Sequence, residues 1–432
     1  MRDKITALQR QFSEGIDPDD LRFNKNLLLG YFLYTTFNGA LRKWVFSGSS
    51  AVEGALLVLQ ILSPCLLTFF MRRKKGALFY FPMLPLCLVL IAMALNPLNH
   101  TIYHGIFGFL LHIGFWICMI IYVQERESFP VEKLLPALII VCLVECVLGF
   151  LQFGLPASHF LNRYVTSNND VAGFDGGLGT RVTGTFSYIT GYGAFLMFVG
   201  MLVWALLVEG TRPFWVILSL MAVGLVASFM NGGRSVVLPF LITLTFGFLA
   251  YGSMGDKIKA IVVAVFLGVI GLVYNLGDRL SVVEQAYAAF YGRVKYGNES
   301  GEASNRVTKT LLAVGDYNGR NPIFGAGLGA TYQGAIAKWG RSPEVSAYFE
   351  EEPERVIMEG GYLLFIIRVL LFAYICKQLR IPAYFSIPLV LYVFIFSTLI
   401  FSTNHSIYTF LGLMVVDKMY FLREKKRAAT DG

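Results

Sequence analysis

The sequence predicts an all-α protein, a polytopic bundle of membrane-spanning helices. Of its 432 residues 56% are apolar and 15% are charged, against roughly 45–50% and about 25% in soluble globular proteins. Apolar runs of about 20 residues, each able to cross a hydrocarbon core of about 30 Å as a helix, recur along almost the whole chain. This composition excludes an ordinary soluble enzyme.

Twelve apolar stretches are predicted to span the membrane. The polar start, MRDKITALQRQFSEGIDPDD, lacks the basic, apolar and small-residue order of a cleavable signal peptide, so we expect the first span to direct insertion. The predicted spans are 27–45, 51–71, 77–95, 102–123, 134–154, 188–208, 214–230, 235–252, 260–276, 360–376, 382–401 and 405–420.

Basic residues predict how these spans are oriented. If twelve helices alternate, every cluster of Lys and Arg in a short connection falls on one side, which the positive-inside rule assigns to the cytoplasm. We therefore expect both termini in the cytoplasm. The clusters are Arg72 to Lys75, Arg126 with Lys133, Arg212, Lys257 with Lys259, Lys377 with Arg380, and residues 423–427.

With this orientation, two longer connections, 155–187 and 277–359, are predicted to lie on the extracytoplasmic side of the membrane. Because the chain shows no internal repeat, we predict one integral membrane domain, 1–432, with 277–359 as its large extracytoplasmic (periplasmic) loop subdomain. Apolar positions after Ser304 predict an amphipathic helix in that loop, which the turn DYNGRNP would close. A glycine series follows it: Gly325, Gly327 and Gly329.

The cysteines give no sign of a redox or metal centre. Each lies inside or beside an apolar run, where a thiol behaves as a small hydrophobe, so we expect no disulfide and no Cys-ligated metal. Walker and Rossmann sequences are absent, and no nucleic-acid module is indicated, since the basic residues follow the cytoplasmic connections. The six cysteines are Cys65, Cys87, Cys118, Cys142, Cys146 and Cys376.

Several basic residues fall on the predicted outer side, against the positive-inside rule. Each could snorkel to headgroups or pair with a nearby carboxylate. Alternatively they share an anion site, because a guanidinium is always charged and binds phosphate in a bidentate way, which would suit a diphosphate headgroup. These residues are Arg42, Lys43, Arg181, Arg234, Arg306 and Arg320.

Five segments resemble a known family. RVTGTFSYITGYGAFL (181–196) is similar to the Arg-x-x-Gly-Thr-Phe element of the O-antigen ligase and polymerase superfamily, and NGGRSVVLPFLI (231–242) to its Ser-Arg-Gly-like helix entry. NRVTKTLLAVGDYNGRNPIFGAGLG (305–329) resembles its Arg, amphipathic-helix and Gly-x-Gly-x-Gly element. MEGGYLLFIIRVLLF (358–372) stands in place of its Glu-x-Gly helix, and LGFLQFGLP (148–156) fits its Gln-containing helix end.

This resemblance implies an inverting glycosyltransferase embedded in the bacterial inner membrane, which works without nucleotide sugar, metal or other cofactor. The donor would be a glycan on undecaprenyl diphosphate. The acceptor would be a second lipid-linked repeat unit in a polymerase of O-antigen or exopolysaccharide, or lipid A core in an O-antigen ligase. Fixed cations must stabilise the departing diphosphate, and the resemblance assigns this to Arg181, Arg234 and Arg306, then Arg320. A flippase and a chain-length regulator are expected partners.

The general base is the point at which the chain departs from the family. Ligases carry a loop His about nine residues before the Glu that matches Glu359, whereas this chain has YFEEEPERVIME, which disfavours lipid A ligase chemistry. A carboxylate of the cluster Glu350, Glu351 and Glu352 could serve as base if its neighbours raise its pKa. The cluster could equally be a solvated acidic face. His405 is the remaining candidate, and it could instead be an interfacial or capping residue.

A transporter of polysaccharide or lipid-linked solute is the competing class. Glu145 and Arg368 fall inside predicted spans, where a charge is costly in lipid, so both should face the interior of the bundle. A proton-coupled carrier would use such groups. The chain lacks the twofold repeat and matched broken helices that carriers often show, which favours the enzyme.

Overall fold

The computed structural model describes residues 17–73, 80–165, 180–250, 281–299, 321–343, 345, 352–396, 399 and 402–431. These residues form helices and no β-strand, which confirms the all-α class. The helices are α1 (Pro18–Ala40), α2 (Ser50–Phe70), α3 (Met83–Ala94), α4 (Ile102–Gln124), α5 (Leu135–Phe153), α6 (Ile189–Glu209), α7 (Phe214–Asn231), α8 (Arg234–Ala250), α9 (Ser281–Glu299), α10 (Gln333–Trp339), α11 (Glu352–Gln378), α12 (Ala383–Phe396) and α13 (Thr403–Asp431).

Six of the described helices are long and apolar enough to cross a membrane, namely α2, α4, α5, α6, α7 and α11. Three more, α3, α8 and α12, are apolar and shorter. The protein is therefore a membrane protein built as a helical bundle. A described helix overlaps each predicted span except 260–276, which lies outside the described residues together with the amphipathic helix expected near Ser304.

Local sequence signals set several helix ends. Thr101 caps α4, because its side chain accepts a hydrogen bond from the His104 N–H. Gly210 and Gly232 end α6 and α7 in the left-handed conformation that glycine adopts without steric cost. After α1 the chain continues as one π-helical turn, Leu41–Val45, in which Lys43 is buried.

The chain folds as two compact units, each made of separate segments. Unit 1 comprises Met1–Thr35, Leu57–Ala137 and Thr310–Phe410, and unit 2 comprises Thr36–Leu56, Leu138–Lys309 and Leu411–Gly432. Apolar helices occupy both units, and the single integral membrane domain with its 277–359 loop remains a prediction.

Helix α6 is the core of unit 2 and is buried along its whole apolar length. Glycines let its neighbours approach closely: a methyl group at Gly200 would meet Thr243 and Phe240 of α8, and one at Gly247 would meet Trp204. Close packing through small residues is how membrane helices associate in the absence of a hydrophobic driving force.

Helix α4 plays the corresponding part in unit 1, where it packs against α3, α10 and α11. Trp116 packs edge-on against Phe372 of α11, with ring centroids 4.8 Å apart. Near the start of α4, a methyl group at Gly108 would collide with the backbone of Leu328 and Gly329. This contact brings the predicted glycine series onto α4.

Candidate functional site

The Arg-x-x-Gly-Thr-Phe element forms an irregular segment before α6, here called the Arg181 turn (residues 181–186). Gln152, at the end of α5, holds its centre: Gln152 Oε1 accepts the N–H groups of Thr183 and Gly184 at 3.1 and 2.8 Å. Gln152 Nε2 donates to the Gly184 carbonyl at 2.9 Å and to the Leu161 carbonyl at 2.8 Å. One amide side chain thus satisfies three backbone groups of the turn.

Lys43 reaches the same turn from the π-helical segment. Its buried ammonium donates to the Gly184 carbonyl at 2.7 Å and to Thr183 Oγ1 at 3.0 Å. It also lies 4.7 Å from the centre of the Trp44 ring, where a cation–π attraction adds to these bonds. Lys43, which is predicted to lie at the outer end of the first span, therefore supports the Arg181 turn.

Glu145, in α5, is fully buried and faces the protein interior, as predicted for an ionisable residue in a span. The Thr185 N–H donates to its Oε2 at 3.0 Å, and Thr185 Oγ1 lies 2.7 Å from its Oε1. The same hydroxyl oxygen lies 2.7 Å from the Thr36 carbonyl oxygen. Gly184 has φ of 54°, and a methyl group on it would meet Glu145 and the Tyr192 ring, so this position requires glycine.

Two further side chains hold the remaining edge of the turn. The phenol of Tyr164 donates to the Arg181 carbonyl at 3.1 Å, and burial raises the pKa of Tyr164 above its usual range. Asn231 Nδ2 donates to the carbonyls of Val182 and Ile189 at 3.2 and 3.0 Å. Side chains from several separate elements therefore fix an irregular backbone, which makes the turn rigid.

The Arg181 side chain is half-buried at the edge of this turn, and its Nε donates to the Asn231 carbonyl at 3.5 Å. Asn231 ends α7, and Arg234 begins α8 three residues later. Arg42 lies beside Lys43 on the π-helical turn and is also half-buried. The folding of unit 2 thus brings together the segments that carry Arg42, Arg181 and Arg234.

A second polar cluster lies in unit 1, where residues 321–331, here called the glycine segment, pack onto the start of α11. The N–H groups of Ala326 and Gly327 donate to the carbonyls of Met358 and Glu359 at 2.8 and 3.0 Å. Gly325, Gly327 and Gly329 have φ of 69°, 104° and 76°. The predicted Gly-x-Gly-x-Gly series is therefore needed for conformation, because other residues rarely adopt these angles.

Glu359 anchors this segment through four donors. Its Oε2 accepts the Gly329 N–H at 2.9 Å and His112 Nε2 at 2.8 Å. Its Oε1 accepts the N–H and the hydroxyl of Thr331 at 2.9 and 2.5 Å. Both carboxylate oxygens are thereby occupied in a fully buried position, which suits a positioning role.

Glu352, from the predicted acidic cluster, is the first residue of α11 and is fully buried. It forms an ion pair with Arg368 at 2.8 Å, and the Arg368 guanidinium lies 5.5 Å from the Trp116 ring centre. The two partners lie on opposite sides of Gly361, where α11 bends with φ of 64°. Arg368 thus faces the interior, as expected, and Glu352 is the partner that compensates its charge.

The other candidate residues have the following places. His405 lies half-buried in the first turn of α13, and its N–H donates to Ser402 Oγ at 3.4 Å. Four candidates lie outside the described residues: Glu350, Glu351, Arg306 and Arg320. In the described ranges no group of three His, Cys, Asp or Glu side chains is arranged to hold a metal ion.

Sequence reasoning missed His112 as the partner of Glu359, and Thr183 and Thr185 as contacts of Lys43 and Glu145. No local pattern could reveal His112, since it lies 247 residues from Glu359. The threonines could have been suspected, because buried cations and carboxylates need hydrogen-bonding partners. Thr183 and Thr185 offer hydroxyl groups on either side of a glycine in a predicted outer loop.

Comparison with known proteins adds no relative to this description: no family model matches the chain, and no curated protein and no solved structure is significantly similar to it.

Proposed function

We propose that the protein is a polymerase that joins undecaprenyl-diphosphate-linked oligosaccharide repeat units into O-antigen or exopolysaccharide at the outer face of the inner membrane. One observation carries the proposal: the Arg181 turn is locked by side chains of Lys43, Glu145, Gln152 and Asn231, and it presents a half-buried arginine. Such a fixed cation suits a diphosphate. The resemblance of the five segments to the O-antigen ligase and polymerase superfamily supplies the reaction.

In this reaction the acceptor hydroxyl attacks the anomeric carbon of the donor sugar. The bond from that carbon to the diphosphate oxygen breaks, and undecaprenyl diphosphate leaves with the electron pair. Arginines fixed before the reaction stabilise the charge that develops on the leaving group without reorganising. We assign this role to Arg181 and Arg234, and to Arg306 and Arg320 from the large loop.

The acceptor proton needs a base. Of the cluster Glu350 to Glu352, we assign this role to Glu350 or Glu351, because Glu352 is engaged with Arg368. Glu359 has donors on both oxygens and is assigned to positioning.

The proposal includes a topology. Twelve spans with both termini in the cytoplasm would place residues 277–359 in the periplasm. A flippase would then deliver the lipid-linked repeat to the outer leaflet, and a chain-length regulator would limit the polymer.

Ligation to lipid A core is the alternative acceptor chemistry, and the absence of the family's loop His disfavours it. A carrier is the alternative class. A proton-coupled carrier would need Glu145 or Arg368 to exchange partners, whereas Glu145 contacts the backbone and hydroxyl of Thr185 and Arg368 is paired with Glu352. The polymerase therefore remains the preferred function.

The test uses the purified full-length protein in proteoliposomes. The substrate is the lipid-linked repeat unit extracted from the bacterium that encodes the protein, here called the producing strain. Arg181→Lys keeps the charge and loses the bidentate fork, so polymer yield should fall by roughly 10²-fold or more. Arg163→Lys, an exposed arginine of the preceding segment, is the matched control and should retain its yield. Wild-type yield in Arg181→Lys, or glycolipid transport without a new glycosidic bond, would overturn the proposal.

A further inference from the structure

Helix α9 presents two exposed tyrosines side by side. Tyr287 and Tyr291 lie one turn apart with ring centroids 6.2 Å apart and planes 21° from parallel. They are 54% and 56% exposed, whereas Ala286 and Ala289 on the opposite face are buried. These two near-parallel, exposed rings are here called the tyrosine pair.

The tyrosine pair lies at the same end of α7 as the Arg181 turn. Phe229 of α7 packs edge-on against Tyr287, with centroids 5.9 Å apart. The next residue, Met230, accepts the Val182 N–H at 3.4 Å, and Asn231 accepts Arg181 Nε. Within unit 2, consecutive residues of one helix end therefore contact the tyrosine pair and the proposed diphosphate site.

The exposed face of α9 does not have the composition of a lipid-facing surface. Its other exposed residues include Glu284, Gln285 and the ion-paired Lys295 and Glu299. By contrast, the exposed residues of α3 include Leu84, Leu88 and Ile91, as expected of a helix in hydrocarbon. A tyrosine surface flanked by hydrogen-bonding side chains fits a ligand that has both apolar and polar faces.

We propose that Tyr287 and Tyr291 form a saccharide subsite, on which pyranose rings of the donor glycan stack beside the diphosphate held at the Arg181 turn. A sugar ring has an apolar C–H face for the aromatic rings and hydroxyl groups for Glu284, Gln285 and Lys295. This inference rests on the proposed function and extends it to substrate recognition.

The experiment measures binding of two ligands to the full-length protein in nanodiscs. One ligand is the glycan-bearing lipid from the producing strain, and the other is undecaprenyl diphosphate without sugar. The double variant Tyr287→Leu, Tyr291→Leu should weaken binding of the glycan-bearing lipid about tenfold, because two stacking contacts are lost. Binding of the sugar-free lipid should not change.

Two control variants separate stacking from other roles. Tyr287→Phe with Tyr291→Phe keeps the rings and should bind the glycan-bearing lipid nearly as well as wild type. Tyr384→Leu removes an exposed tyrosine of α12 and should have no effect.

Three results would overturn the subsite. Wild-type affinity in the Leu double variant would show that the rings do not bind sugar. Equal loss for both lipids would show that α9 contacts the membrane or supports the fold. If wild type bound neither lipid, the proposed function would fail together with the subsite, whereas the first two results would leave the function standing.

Discussion

The ammonium of Lys43 lies 2.7 Å from the carbonyl oxygen of Gly184, although 141 residues separate them in sequence. This bond joins the segment after α1 to the centre of the Arg181 turn. Gln152 donates to the same carbonyl at 2.9 Å. The turn therefore depends on a cation and an amide that come from different parts of unit 2.

Lys43→Met should leave a folded protein with a displaced turn. Thr183 Oγ1 and the Gly184 carbonyl lose a charged donor, and a hydrogen bond to a charged group is worth about 1.5–3 kcal/mol. We expect a lower melting temperature in detergent and a polymerisation rate reduced about tenfold or more. Lys377→Met, at an exposed lysine of α11, should change neither quantity. Normal polymerisation in Lys43→Met would show that Lys43 does not position the turn.

The contacts of Thr185 predict the state of Glu145. Thr185 has one hydroxyl proton, yet its Oγ1 lies 2.7 Å from both Glu145 Oε1 and the Thr36 carbonyl. Both contacts are hydrogen bonds only if Glu145 donates one of them, so we expect Glu145 to carry a proton. Glu145→Gln reproduces this pattern and should keep wild-type thermal stability. Glu145→Leu leaves the Thr185 N–H without its acceptor and should cost ~1–3 kcal/mol. A glutamine variant as unstable as the leucine variant would mean that Glu145 is ionised.

Replacement of glycine by alanine should distinguish positions that require glycine from positions that tolerate a side chain. At Gly361, where φ is positive, a methyl group would collide with the Ile323 carbonyl, so Gly361→Ala should sharply lower stability and activity. At Gly30 in α1 nothing lies within 4 Å of the added methyl group. Gly30→Ala should therefore stabilise the protein by roughly 0.5–1 kcal/mol, the usual helix preference for alanine. Thermal unfolding in detergent measures both, and equal effects would contradict the assigned contacts.

A double-mutant cycle distinguishes structure from chemistry at Glu352. Glu352→Leu or Arg368→Met alone strands a buried charge and should cost about 3–5 kcal/mol. The double variant replaces the pair with apolar groups and should recover most of that stability. If Glu352 serves only the fold, polymerisation should recover as well. A stable but inactive double variant would instead place Glu352 in the chemistry.

Much of the helical framework could be predicted because its signals are local. The span predicted at 188–208 is helix α6, Ile189–Glu209, and that at 214–230 is α7, Phe214–Asn231. In both cases a glycine follows the last helical residue. The predicted span is shorter than the helix where the helix extends into polar sequence. Helix α1 begins at Pro18 and not at residue 27, because Asp19 and Asp20 in its first turn favour a helix start.

The candidate site was predictable only in part, because its contacts are long-range. Gln152 and Arg181 were found through family-like segments, and Asn231 lies in another of them. The approach of Lys43 to Gly184, and of His112 to Glu359, depends on how helices pack, which no periodic pattern encodes. Packing of this kind follows from shape complementarity between residues far apart in the chain.

The bend at Gly361 also bears on the order in which the chain assembles. In a straight helix Glu352 and Arg368 would be about 24 Å apart, yet their charged groups are 2.8 Å apart, so the first part of α11 turns back beside the second. Until that reversal forms, Arg368 has no anion to offset its transfer from water into apolar surroundings. The segment before Gly361 therefore supplies the counterion of Arg368, and the reversal at Gly361 should form no later than the step at which Arg368 leaves water.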